Sequence, residues 1–278
     1  MLADDREEKL TDRLALEFIS ALGMPPAEFI ALARRLGIGR VGMAPAPIAA
    51  NPHGYPAWEL RTDPALLRAT KAALAAEGVT VSLGEGFLIM PGIEIANALP
   101  NMQLMAELGA PLVNCVVIEQ DRQRAYDQFA EFSAMAAAHA MRPCIEFMPL
   151  MWPATLGEAA AFLNDCGAPG GGLVLDAMHV FRSAGSTDDC AALEASLIAY
   201  VQLCDVPMPA RHGDYGMEAR DNRLAPGEGD LPLAQFLAAM PDEVTVGLEL
   251  PMVASAEAGI GPDERLAPAV AAARRLLG

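Results

Sequence analysis

The chain has 278 residues, a formal net charge of −17 and 53% hydrophobic residues, of which few are aromatic. The negative charge repels phosphate backbones and anionic lipids, so nucleic acids and membrane surfaces are unfavourable partners. No apolar run is long enough to span a membrane, and the first residues lack the basic and apolar regions of a signal peptide. Composition therefore predicts a cytoplasmic protein that binds neither nucleic acid nor membrane.

Eight strand-like segments alternate with eight helical ones along the chain. The strands are predicted near 13–18, 40–44, 79–84, 112–118, 143–148, 172–177, 199–204 and 243–250. The helices are predicted near 26–36, 64–77, 94–108, 122–140, 156–166, 188–197, 232–240 and 264–277. The strands are short, apolar and bounded by Gly, Pro or polar residues, which is typical of buried parallel strands.

This alternation predicts a fold class. Strict repetition of strand and helix indicates parallel strands joined by right-handed crossovers. Eight such units without a long linker favour a closed barrel over a doubly wound sheet, which would also need a Gly-x-Gly-x-x-Gly turn that is absent after the first strand. We therefore expect an α/β protein, a single (β/α)8 TIM barrel over residues 1–278.

Oxygen-bearing side chains stand at the ends of four consecutive predicted strands. Glu146, Asp176 and Glu249 end the fifth, sixth and eighth strands, and Gln202 lies near the end of the seventh. Because side chains alternate across a strand, each of these residues points away from the apolar packing face of its own strand. Active sites of such barrels lie at the carboxyl ends of the strands. The pattern therefore predicts a site at the barrel mouth.

The residue types indicate what the site binds. Carboxylate and amide oxygens are hard ligands that suit Mn²⁺ or Mg²⁺. We therefore expect Glu146, Asp176, Gln202 and Glu249 to hold a divalent metal ion. An alternative stays open, in which one or more of the acids pairs with an arginine, the candidates being Arg182, Arg211, Arg220 and Arg223.

Several of these residues occur in motifs of one superfamily. The strand-end Glu146, the step Asp176-Ala-Met-His179, the segment Gln202-Leu-Cys-Asp205, the loop Pro226-Gly-Glu-Gly-Asp230 and Gly247-Leu-Glu249 resemble the xylose isomerase-like barrels, and among them the sugar phosphate isomerase/epimerase branch. The resemblance implies a divalent metal and the isomerisation, epimerisation or dehydration of polyhydroxy carbonyl compounds. It implies Glu146, Asp176 and Glu249 as ligands and His179 as a contact to the substrate.

Gln202 departs from the motif of that family. It stands where a histidine ligand is usual, so either its amide oxygen completes a weaker site or the metal is lost. His212, in the segment after the seventh strand, is the candidate to replace the missing ligand. The sequence leaves both alternatives open.

The same side chains suggest a reaction. Two glutamates on opposite sides of a substrate, Glu146 and Glu249, can remove and return a proton next to a carbonyl, which gives epimerisation. If a β-hydroxyl leaves with His179 as the acid, the outcome is dehydration. The first expectation is a metal-dependent isomerase or epimerase acting on a sugar-like polyhydroxy keto compound. The alternatives are a lyase or dehydratase of a keto-polyol or cyclic keto acid, and a metal-free barrel acting as a binding or partner subunit.

Three further residues are predicted to contact the small-molecule substrate. Arg182 can hold a carboxylate or phosphate with two hydrogen bonds, although it could equally neutralise Asp176. Trp152 follows Glu146 closely and can line an apolar wall, and His53 lies in the loop after the second strand at the rim of the mouth. Association into a homo-oligomer stays open.

Overall fold

The computed structural model describes residues 13–48, 50–168, 170–210 and 213–278. Its strands form a closed barrel in which each strand is parallel to the next and β8 returns to β1. The strands are β1 (Leu14–Leu16), β2 (Arg40–Met43), β3 (Thr80–Ile89), β4 (Leu112–Val117), β5 (Arg142–Glu146), β6 (Gly172–Asp176), β7 (Ile198–Leu203) and β8 (Val246–Leu248). The described residues confirm the predicted (β/α)8 fold.

Eleven α-helices lie in these described segments. They are α1 (Pro26–Arg35), α2 (Pro64–Glu77), α3 (Leu99–Glu107), α4 (Arg122–Ala138), α5 (Leu156–Asp165), α6 (Ala177–Arg182), α7 (Thr187–Ala191), α8 (Tyr215–Asp221), α9 (Leu233–Ala238), α10 (Val253–Glu257) and α11 (Pro262–Leu277). Polar side chains cap the starts of two of the long helices. Asp63 caps α2 by accepting from the amides of Ala65 and Leu66, and Thr155 caps α5, contacts each worth about 1 kcal/mol.

Three short helices were not predicted, and all of them lie at the barrel mouth. They are α6, α8 and α10, which follow β6, β7 and β8 respectively. His179 lies in α6, which begins directly after the last residue of β6, although the sequence pattern predicts no helix between the sixth strand and residue 188. The predicted helix 188–197 is also shorter in the structure, where α7 ends at Ala191 and a single 3-10 turn covers Ala195–Leu197.

The barrel interior is apolar at the bottom and polar above. The apolar layer is one buried cluster, formed by Ala15, Leu83, Cys144, Val174 and Tyr200. Nearer to the mouth, Glu17 fills space that two glycines leave open, since a Cβ at Gly42 or Gly247 would overlap its carboxylate. The third strand carries a bulge at Glu85 and Gly86, where its register to β4 shifts and Gly86 has a φ of 87°. Glu85 is buried there.

Among the helices that the structure describes, none combines the length and the apolar character needed to cross a membrane.

Candidate active site

The predicted site residues come together at the carboxyl end of the barrel. Asp176 pairs with Gln202 in the register of β6 and β7, and Gln202 pairs with Gly247, which precedes Glu249 by two residues. Glu146 is the last residue of β5 and pairs with Val174 of β6. These four polar residues are all buried. The parallel register therefore places them side by side along the rim.

Glu146, Asp176 and His179 form a compact cluster. One possible ligand atom from each residue lies within 4.8 Å of the others. Asp176 fixes the position of His179, because its carboxylate Oδ1 accepts from the His179 amide at 2.9 Å and so caps α6. The Tyr215 hydroxyl lies 2.7 Å from His179 Nδ1, which leaves Nε2 facing Glu146 Oε1 at 3.3 Å. These contacts direct one imidazole nitrogen and two carboxylates towards a common point.

A buried arginine lies beside this cluster. Arg223 Nη1 donates to Asp176 Oδ2 and, at 3.0 Å, to Glu249 Oε2. Arg223 Nε donates to the carbonyl of Ala219 at 2.8 Å, and the residue is only 3% exposed. The alternative of arginine pairing therefore holds for Asp176 and Glu249 in this structure.

The two acids that share this arginine differ in pKa. Burial opposes the ionisation of Asp176, but Arg223 and His179 outweigh it and hold the pKa of Asp176 below its ordinary value. Burial raises the pKa of Glu249 well above its ordinary value, and the neighbouring Asp176 and Glu146 charges raise it further, against the effect of Arg223. Asp176 is therefore the fixed anion of the pair, while Glu249 is the acid that readily holds a proton.

A polar layer lies below the cluster. Gln202 Nε2 donates to Glu85 Oε1 at 3.1 Å, the Tyr200 hydroxyl donates to Glu17 Oε1 at 2.6 Å, and Asn114 Nδ2 donates to Glu146 Oε2 at 2.6 Å. Four buried acceptor oxygens have no hydrogen-bond partner among the described residues: Glu17 Oε2, Glu85 Oε2, Asn114 Oδ1 and Gln202 Oε1. The layer therefore has a surplus of acceptors over donors.

The acids of this layer are strongly affected by burial. Burial raises the pKa of Glu17 to about 8, although its hydrogen bond from Tyr200 acts in the opposite direction. Burial and the nearby Glu17 raise the pKa of Glu85 well above its ordinary value. Protonated side chains relieve the surplus of buried negative charge, since uncompensated charge is costly in a protein interior.

The donor set fits a divalent ion. One ligand atom each of Glu146, Asp176 and His179 converge. Gln202, beside Asp176 in the register, has an amide oxygen without a hydrogen-bond donor among the described residues. Two carboxylates, an imidazole and an amide oxygen are ligands that bind Mn²⁺ or Zn²⁺ well. His179, which the sequence assigned to substrate contact and proton donation, thus also offers a ligand atom.

The other three predicted substrate contacts have partners outside this cluster. Arg182 forms a bidentate ion pair with Glu218, with both nitrogen–oxygen distances at 2.8 Å. Trp152 packs against Phe162 and Tyr126, with the Arg122 guanidinium 4.8 Å from its ring centroid. His53 is half-buried, and its Nε2 has no hydrogen-bond partner in the described ranges. His212 and Arg211 lie outside the described residues.

Three residues that contact the predicted ones were not singled out from the sequence, and a fourth was named only as an alternative partner. Glu85 was left out because the third strand was expected to end at residue 84, one short of it, whereas β3 continues to Ile89. Asn114 lies in a predicted strand but carries no charge, and Tyr215 starts a helix that was not predicted. Arg223 was considered only as one of four alternatives. Its position in the sequence was the available signal, because Glu218 and Asp221 precede Arg223 and the glycine-rich loop at 226–230 follows it.

The comparison with known families identifies this barrel. The family described as xylose isomerase-like TIM barrel matches residues 30–272. Because this match covers most of the chain, the chain belongs to that family. No curated protein sequence matches the chain significantly.

Three solved structures share the fold over nearly their whole length. The IolI protein with a bound zinc atom is 15% identical, with a TM-score of 0.74 and coverage of 95% of this chain and 96% of that one. The probable 3-DHS dehydratase AsbF from Bacillus anthracis is 14% identical, with a TM-score of 0.72 and coverage of 93% and 97%. D-psicose 3-epimerase from Clostridium cellulolyticum H10 is 14% identical, with a TM-score of 0.69 and coverage of 95% and 99%. At such identities the likeness shows the fold alone.

A longer protein also contains this fold. A xylose isomerase-like TIM barrel/4-hydroxyphenylpyruvate dioxygenase fusion protein is 21% identical over 86% of this chain, with a TM-score of 0.69. The present chain spans only 38% of the length of that fusion protein.

Proposed function

We propose that this xylose isomerase-like barrel is a divalent-metal-dependent isomerase or epimerase that moves a proton next to the carbonyl of a small polyhydroxy ketone or aldehyde. The observation that carries the proposal is the convergence of Glu146, Asp176 and His179 at the barrel mouth, with their ligand atoms within 4.8 Å. Two structurally similar proteins support it, one solved with zinc and one named as a sugar epimerase.

The proposed metal site uses side chains from β5 to β7. Glu146, Asp176, His179 and the Gln202 amide oxygen would hold Mn²⁺ or Mg²⁺, with Glu249 beside them. A bound divalent ion would supply positive charge that stabilises a carbonyl oxygen as the neighbouring C–H bond loses its proton. The buried position of these residues strengthens such electrostatic effects, because little water screens them.

Glu249 is the proposed proton acceptor. Burial raises the pKa of Glu249, and a carboxylate with a raised pKa is a stronger base than an exposed one. The pKa of Asp176 is lowered, so Asp176 stays ionised while Glu249 can take up a proton. Glu249 would remove the proton on one face of the substrate, and Glu146 would return it on the other. We keep His53, Trp152 and Arg182 as substrate contacts in this proposal.

The exchange of substrate hydrogen with solvent tests the proposal. Purified protein with Mn²⁺ should incorporate deuterium from heavy water next to the carbonyl of an accepted ketose. Glu249→Gln should fold normally and exchange about 10²–10⁴ times more slowly, since a positioned general base contributes a factor of that size. Exchange at the wild-type rate in this variant would remove Glu249 from the reaction.

A dehydratase is the second candidate, and one contact favours it. The Tyr215 hydroxyl lies 2.7 Å from His179 Nδ1, and His179 Nε2 faces Glu146 Oε1. In this candidate His179 would donate a proton to a leaving β-hydroxyl and would not be a ligand of the metal. A structurally similar protein is also named as a probable 3-DHS dehydratase. Loss of water from a keto-polyol or cyclic keto acid, followed by mass spectrometry and abolished in His179→Gln, would favour this candidate over the epimerase.

A further inference from the structure

Arg223 lies where a cation is needed. Its guanidinium bridges Asp176, a proposed ligand of the divalent ion, and Glu249, the acid beside the proposed metal site. On the basis of the metal site proposed above, we infer that Arg223 and the divalent ion exclude one another at these carboxylates. Metal binding then moves the Arg223 side chain out of the site, and loss of the metal lets it return.

The contacts of Asp176 leave little room for both cations. Its Oδ1 accepts from the His179 amide, and its Oδ2 accepts from Arg223. The Oδ1 contact caps α6 and holds His179 in place, so the Oδ2 contact is the one that can be given up. A guanidinium and a divalent ion on one buried carboxylate would also repel each other strongly, because little solvent screens them.

The charges explain why Arg223 stays when no metal is bound. Asp176 is 0% exposed and Glu249 is 8% exposed, so negative charge on them needs a positive partner. Arg223 is the arginine that contacts both of them in the described part of the chain. It therefore stabilises the metal-free site, and a divalent ion would take over that role.

The structure offers a place for the displaced side chain. A cavity of about 230 Å³ adjoins Arg223 and is also lined by Glu218, Asp221 and Glu228. The backbone around Arg223 is fixed by two antiparallel bridges, Asp205 with Leu224 and Asn222 with Met252. The movement is therefore a rotation of the side chain, from the two acids of the site to the acidic cavity.

Calorimetric titration with Mn²⁺ tests the inference directly. Arg223→Gln removes the competing cation and should lower the Kd for Mn²⁺ at least tenfold relative to the wild type. The same variant should have a lower Tm in EDTA, because Asp176 and Glu249 lose their partner, and a larger rise in Tm with Mn²⁺. The control is Arg265→Gln, which removes another buried arginine, whose guanidinium donates to the carbonyls of Ser20 and Leu250 and to no carboxylate of the described residues. Its Mn²⁺ affinity should equal that of the wild type.

Two further variants complete the test. Arg223→Lys keeps a positive charge but loses the Nε–H contact to the Ala219 carbonyl that holds the side chain between the two acids. It should therefore also bind Mn²⁺ more tightly than the wild type, and it decides the matter if Arg223→Gln does not fold. Asp221→Asn removes charge from the acidic cavity and should weaken Mn²⁺ binding severalfold in the wild type but not in the Arg223→Gln background.

The outcomes separate this inference from the proposed function. Equal Mn²⁺ affinity in the wild type, Arg223→Gln and Arg223→Lys would show that arginine and metal coexist, which overturns the inference and leaves the metal site standing. If none of the three proteins binds Mn²⁺, the metal site itself is wrong and the inference falls with it.

Discussion

At the scale of single residues, Gln202 decides how tightly the proposed site holds a metal. It pairs with Asp176 in the barrel register, and its buried Oε1 has no partner among the described residues. An imidazole is a better ligand than an amide oxygen for Mn²⁺, Co²⁺ or Zn²⁺. We therefore expect Gln202→His to tighten binding of these ions about tenfold, equal to about 1.4 kcal/mol, and to shift preference away from Mg²⁺.

Calorimetric titration of Gln202→His and His212→Ala against Mn²⁺ checks this expectation. If His212 completes the site instead, the first variant changes the Kd little and the second weakens binding strongly. Unchanged Kd values in both variants would mean that neither residue binds the ion.

Glu17 gives a prediction about pH. Burial raises its pKa to about 8 in the folded protein, against an ordinary value of 4.5. The folded state therefore holds this proton more tightly than the unfolded chain does. The resulting stabilisation is complete below the unfolded pKa and is lost as the pH rises through the folded pKa.

Urea unfolding measures this effect. The free energy of unfolding of the wild type should fall between about pH 5 and pH 8, and Glu17→Gln, which cannot ionise, should fall less. Glu131→Gln, on the exposed side of α4, is the matched control and should retain the wild-type slope. The same slope in Glu17→Gln and the wild type would assign the pH dependence to another group.

The residues of the site were predictable in part. Glu146, Asp176, Gln202 and Glu249 could be predicted from their positions near strand ends and from the alternation of side chains along each strand, which is a local property of the sequence. The position of Arg223 was not predictable in this way. It depends on how the segment after β7 folds back over the mouth, through bridges to Asp205 and Met252 that have no local signal.

At the scale of elements, β8 packs closely against the residue that follows β1, because Gly247 leaves space for the Glu17 side chain. A Cβ there would overlap the Glu17 carboxylate, which is itself completely buried. We expect Gly247→Ala to lower the free energy of unfolding by about 1–3 kcal/mol, a usual cost of overpacking. The additional change Glu17→Ala should recover part of this loss, because it removes the atoms that clash.

Urea unfolding of the single and double variants checks this contact. Gly39→Ala is the matched control, because a Cβ at Gly39 meets no atom within 4 Å. A Gly247→Ala variant as stable as Gly39→Ala would show that Glu17 does not occupy this space.

The long elements were predicted and the short ones at the mouth were not. Helices α2, α4 and α11 have many residues and clear start signals, so their patterns are visible in the sequence. Helices α6, α8 and α10 have five to seven residues, too few to show a helical repeat of apolar residues. The start of α6 was not predicted, because Asp176 was interpreted as a metal ligand and not as the residue that caps this helix.

At the scale of the whole molecule, the barrel concentrates acids in its interior. Glu17, Glu85, Glu146, Asp176 and Glu249 are buried within or at the mouth of the barrel, and Arg223 is the guanidinium that contacts two of them. A closed barrel brings these strand ends together from all sides, which no single segment of the sequence reveals. Negative charge on those of the acids that ionise favours the binding of a cation there and opposes that of an anion.

Metal binding should therefore stabilise the entire fold. A ligand that binds only the folded state adds about 2.7 kcal/mol to the free energy of unfolding at 100 times its Kd. Adding Mn²⁺ at millimolar concentration should raise the Tm of the wild type, and Glu146→Gln should lose most of that rise because a neutral amide replaces a charged ligand. Glu131→Gln, exposed on α4, should keep the full rise. A wild-type Tm that no divalent ion changes would instead favour the metal-free barrel, whose mouth binds a small molecule or a partner without catalysis by a metal.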